Sequence, residues 1–91
     1  MLEIAEKPIY IFLDFNAVIV NLDKLTPELR TRCLDCIEHG VKELKSYLED
    51  NIALKEDASD IPETGLAVLQ QQYILVQAIE TWLISLQPND E

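Results

Sequence analysis

At 91 residues the chain has length for one domain, and a domain of that size buries only roughly 60–65% of its unfolded surface. Hydrophobic residues make up 48% and charged residues 26%, which excludes a wholly disordered chain, and two glycines with four prolines are too few for the turns of an all-β fold. The net charge of −10 sets the surface against phosphate backbones and anionic membranes, so neither nucleic-acid nor membrane binding is expected.

The charge is uneven. Residues 1–45 hold six basic and eight acidic side chains, whereas residues 46–91 hold Lys55 and nine acids. The N-terminus, MLEIAEKP, lacks the basic start of a signal peptide, and two cysteines do not make a disulfide framework. The run Ile9–Val20 is too short to span a bilayer and contains Asp14 and Asn16. These features predict a cytoplasmic protein.

The first element is ambiguous. IYIFLDFNAVIV is rich in strand formers, with two apolar runs around Asp14 to Ala17 as in a hairpin. Phe15-Asn16 makes a poor two-residue turn, however, because Phe resists positive φ. Ile11, Phe15, Val18, Leu22 and Leu25 also follow a 4-3-4-3 spacing, which predicts a helix over about 8–24.

Thr26-Pro27-Glu28 marks a second helix start. Thr26 can accept from an early backbone N–H, Pro27 suits the first helical position, and Glu28 meets the positive end of the dipole. Leu29, Cys33, Cys36, Ile37, Gly40, Val41, Leu44 and Leu48 then recur at spacings of three and four, predicting a helix over about 27–52. Arg30, Asp35, Glu38, Lys42, Lys45 and Glu49 fall on its polar side, with Glu38 and Lys42 in the favourable i,i+4 order. Gly40 inside a helix costs about 1 kcal/mol, which points to a close helix crossing.

Residues 53–62 read as an acidic connector, with Ser59 or Asp60 as a cap and Pro62 in the first turn of a helix over about 62–86. That helix carries Leu66, Leu69, Tyr73, Val76, Ile79, Leu83 and Leu86, widened by Val68, Ile74, Leu75, Ala78, Trp82 and Ile84. A helix apolar so far round is buried on more than one side. Residues 88–91 read as a solvated tail after Pro88.

Three patterns carry chemical suggestions. FLDFNAV resembles the first motif of the haloacid-dehalogenase-like phosphatases, a hydrophobic strand ending in Asp-x-Asp. The resemblance implies a nucleophile at Asp14 and places Asn16 where the family has its general acid. Asn16 cannot exchange a proton as a carboxylic acid does, and the chain has no room for that family's doubly wound sheet, so Asp14 reads as a surface or turn carboxylate. Cys33-x-x-Cys36 lies two turns inside a predicted helix beside Asp35 and Glu38, where acids disfavour the thiolate, so both read as core cysteines. His39 adds a third soft ligand, leaving a metal or redox site at Cys33, Cys36 and His39 as the remote alternative.

The expected architecture is all-α: a single small helical domain over residues 1–91, forming a three-helix bundle that dimerises. The alternative is an N-terminal β-hairpin packed on a two-helix hairpin. No catalytic residue, cofactor site or metal site is assigned. The surplus apolar surface predicts a non-enzymatic protein acting through protein–protein contact, as a homo-oligomer or an adaptor subunit. Its expected interface is Ile11, Phe15, Val18, Tyr73, Val76, Ile79, Trp82 and Leu83. A second reading is an acidic decoy occupying a basic groove through Asp50, Glu56, Asp57, Asp60 and Glu63.

Overall fold

The structure is a computed structural model that describes residues 1–57 and 62–87. It is all-α, with no strand among the described residues. In chain order come α1 (Leu2–Ala5), α2 (Asn16–Ile19), a 3-10 turn (Leu22–Lys24), α3 (Pro27–Asp57) and α4 (Glu63–Ser85). Two long helices, rather than three, make the body, and they pack against each other as a hairpin.

The N-terminal region departs from both expectations. No helix spans 8–24 and no hairpin forms there: residues 8–13 lie outside any regular element, and only α2 and the 3-10 turn are helical. Pro8 restricts the residue before it, and Ile9 to Phe12 are branched or aromatic, so propensity gives little help to a helix. A short helix without a packed face is marginal in water, and Ile9, Tyr10, Ile11 and Phe12 are at least three-quarters exposed.

The start of α3 is as the sequence predicts. The Leu29 amide donates to Thr26 Oγ1 at 3.3 Å, Pro27 is the first helical residue and Glu28 lies in the first turn. Arg30 then ties the preceding segment to the helix, donating from Nε to the Leu22 carbonyl at 3.2 Å and from Nη2 to the Leu25 carbonyl at 3.4 Å. At its far end α3 runs past the predicted limit to Asp57, so Ala53 to Asp57 of the expected connector are helical. Ala53-Leu54-Lys55-Glu56 are all good helix formers, and charge density alone does not end a helix. Pro62 sits just before α4, in extended conformation, and Glu63 opens it. Ser59, Asp60 and the tail at 88–91 lie outside the described residues.

The core is one seam. Leu34, Val41 and Leu48 of α3 are buried, each seven residues from the next, and Val76 and Leu83 of α4 face them with the same spacing. A seven-residue repeat keeps one line of side chains toward a neighbour along both helices. Ile19, Leu22, Ile37, Leu69, Tyr73, Ile79 and Leu86 pack around it. The predicted stripe of α3 contained Val41 and Leu48 but omitted Leu34, and its Cys33, Gly40 and Cys36 lie roughly 100–160° round the helix from Leu34 at 100° per residue. Gly40 is exposed, and among the described residues nothing beyond its own helix backbone lies within 4 Å of a Cβ built on it. The close crossing expected there does not occur within the chain.

Polar contacts fix the register of the hairpin. Lys45 Nζ donates to Glu80 Oε1 at 2.9 Å, Tyr73 Oη to Glu49 Oε2 at 2.9 Å, and Gln87 Nε2 to Glu38 Oε2 at 2.9 Å. Lys45, expected on the open face, thus lies at the edge of the seam.

With so few buried side chains, each matters. Leu48→Ala removes a side chain 2% exposed and is expected to cost about 2–5 kcal/mol. Ile84→Ala, at a position 64% exposed, is expected to cost about 0.5 kcal/mol. Urea denaturation followed by circular dichroism measures both; equal losses would show that the seam is not the core.

Candidate functional site

The two flanks of the seam are different surfaces. On one flank α3 turns Leu29, Cys33, Cys36, Gly40 and Leu44 outward, and α4 contributes Leu75, Ile79 and Trp82 on the same side by helical geometry. The N-terminal segment crosses part of this face. Phe15 stacks on Trp82 with ring centroids 6.3 Å apart and planes 16° apart, a geometry aromatic pairs favour. Two shallow apolar grooves remain open beside it. One is bordered by Val18, Leu29, Cys33 and Cys36; the other by Leu13, Phe15, Gly40, Leu44 and Ile79.

The expected interface residues therefore separate. Phe15, Val18, Ile79 and Trp82 border or lie on this open face, and Ile11 is exposed on the segment leading to it. Val76 and Leu83 are 2% and 1% exposed, and the intrachain core takes them out of reach of a partner. Tyr73 belongs to the opposite flank, where its hydroxyl meets Glu49. Sequence reasoning missed Leu29, Cys36, Gly40 and Leu44 as surface; they were assigned to the core because periodicity gives a stripe's existence but not which neighbour it meets.

The opposite flank has another chemistry. An open groove of about 400 Å³ lies between α3 and α4, lined by the aliphatic Ile52, Ala53 and Ile74 and by Glu49, Glu56, Gln70 and Tyr73. It belongs to the part of the chain where acids outnumber bases nine to one.

The residues with possible catalytic or metal chemistry do not assemble. Asp14 lies in a turn with no strand before it, which is the context the phosphatase resemblance requires. Cys36 is exposed and Cys33 partly so, correcting the expectation that both are core. Steps of three along one helix rotate Cys33, Cys36 and His39 progressively apart, and His39 Nε2 meets Glu43 Oε1 at 3.0 Å. Among the described residues no group of three or more His, Cys, Asp or Glu is placed to hold a metal ion. No helix among them is long and apolar enough to cross a membrane.

Charge on the hairpin is arranged in pairs. The hydrogen bond from Lys42, at 2.8 Å, holds the Glu38 carboxyl below its ordinary value, helped by the lysine's charge. Lys45 is raised, first by its hydrogen bond to Glu80. A depressed carboxyl supports folding above its unfolded pKa and loses that support as pH falls through the folded value. A raised lysine supports folding below its unfolded pKa and loses that support as pH rises through the folded one. Both contributions are thus present between about pH 5 and 10.

No family model, curated protein or solved structure matches the chain. The reading of function rests on the surfaces themselves.

Tyr73 offers a direct check of the acidic groove. Its phenol is raised above the ordinary tyrosine range, chiefly because it donates to Glu49 and its anion would face that carboxylate. Glu49→Gln is expected to return one of the three tyrosines toward about pH 10 in an alkaline absorbance titration. An unchanged titration curve would show that the Tyr73–Glu49 pair does not form in solution.

Proposed function

We propose that the protein acts without catalysis, through protein–protein contact, and that its first partner is a second copy of itself. The observation that carries this reading is the amount of surface left uncovered. The chain exposes 7603 Å². A compact monomer of 10.4 kDa exposes about 5,400 Å². Its radius of gyration is 17.0 Å, against about 12 Å for a compact chain of this length. The excess is roughly 2,200 Å² per chain, and covering less than half of it on each of two copies already reaches the standard interface size of about 1,600 Å².

The apolar face between Leu29 and Leu44 is suited to this role on two counts. It lies along the part of α3 where bases nearly balance acids, so a second copy is not strongly repelled. Gly40 leaves room for a neighbouring backbone, because nothing of its own chain approaches there. A two-fold pairing of this face with itself brings α3 against α3 near Gly40 and gives Ile9 to Phe12 an apolar surface to cover.

Light scattering coupled to size exclusion tests the reading. Twice the chain mass is expected at micromolar concentration, with little change in high salt, because the contact is apolar. A Cβ at Gly40 meets no described residue within 4 Å, and Gly40→Leu replaces glycine with a better helix former, so it is expected to keep the helical spectrum while weakening dimerisation about tenfold or more. A wild-type chain that stays monomeric at roughly 100 μM would contradict the homodimer. A dimer indifferent to Gly40→Leu would contradict the face.

A further inference from the structure

We infer that the groove on the acidic flank, bordered by Glu49, Ile52, Ala53, Glu56 and Ile74, takes an amphipathic helix of another protein whose basic residues flank an apolar anchor. At about 400 Å³ the groove is within the size range of binding clefts. Its lining combines three aliphatic side chains with two carboxylates. Among the described residues neither Glu49 nor Glu56 forms an ion pair; the pairs present are His39–Glu43, Lys42–Glu38 and Lys45–Glu80. Tyr73 donates to Glu49 and holds that carboxylate at the groove.

The spacing selects the form of the occupant. Glu49 and Glu56 are seven residues apart on α3, two helical turns or about 10.5 Å along the axis. Ile52 and Ala53 lie between them, three and four residues after Glu49. A helix lying alongside α3 answers that pattern with Arg or Lys at i and i+7 and Leu or Ile at i+3 and i+4. It would continue the seam as a third helix, its apolar residues on the aliphatic side chains and its cations at the two carboxylates.

Charge decides which occupant fits. Residues 46–91 carry nine acids and one base, so a two-fold pairing of this flank with itself sets carboxylates against carboxylates, and phosphate-bearing ligands are repelled as well. A basic helix gains Coulomb attraction at both carboxylates and apolar burial between them. This surface is on the opposite flank from the one proposed for self-association, so the two contacts can be made or lost separately.

The test uses a synthetic helical peptide of about 18 residues with Arg at i and i+7 and Leu at i+3 and i+4, followed by fluorescence anisotropy against the full chain. Binding is expected to weaken about tenfold when ionic strength rises from roughly 50 to 500 mM. The double reversal Glu49→Lys/Glu56→Lys is expected to weaken it about tenfold or more and to favour a peptide with Glu in place of Arg. Gly40→Leu, which addresses the dimer, is expected to leave peptide affinity unchanged. The inference is overturned if the reversed chain binds the basic peptide as the wild type does. It is equally overturned if the wild type does not distinguish the Arg peptide from the Glu peptide, or if the peptide competes with self-association.

Discussion

The whole structure depends on one line of contact between two antiparallel helices. Leu34, Val41 and Leu48 face Val76 and Leu83, and no other hydrophobic side chain is fully buried among the described residues. A hairpin of two helices can shield only the strip where they touch, and the rest of each helix surface stays in water. A third helix would cover the seam from the side and give a closed core. Residues 8–24 do not supply it, so the short N-terminal turns cover one flank only in part. They are held there by Arg30 on the carbonyls of Leu22 and Leu25 and by Phe15 on Trp82.

That geometry explains why the apolar surface is divided in two. A seam between helices leaves a flank on either side, and the composition of the chain makes the flanks unlike. One draws Leu29, Cys36, Gly40 and Leu44 from the near-neutral half. The other draws Glu49, Ile52, Ala53 and Glu56 from the acidic half. A contact on the first gains mainly from apolar burial and is insensitive to salt, whereas a contact on the second depends on the sign of its partner's charge. Under the two contacts proposed above, this separation would let a chain with a net charge of −10 associate with itself and still be selective for something basic.

How far the sequence discloses this follows from which forces are local. The cap at Thr26, Pro27 at the first position and the Glu38–Lys42 pair are set by residues within a turn of one another, and all three are where local rules put them. The all-α class follows from long 3.6-residue periodicity and scarce turn residues. What was not legible is tertiary. The α3 stripe is apolar over more than one face, so its spacing could not tell that Leu34 is buried in the seam while Cys36 and Gly40 stay exposed. Lys45 could not be placed at the seam without knowing that Glu80 stands opposite. The failure at Ile11 to Leu25 has the same cause: a correct 4-3-4-3 spacing does not make a helix when no surface receives it.

If the proposed self-association holds, the hairpin alone is incomplete and a second copy finishes its core. Thermal unfolding measured over about a hundredfold range of protein concentration tests this most directly, since only a fold coupled to self-association has a midpoint that depends on concentration. The account predicts a midpoint that rises steadily with concentration. A single midpoint, unchanged across the range, would mean that the seam of Leu34, Val41, Leu48, Val76 and Leu83 sustains the fold by itself and would contradict it.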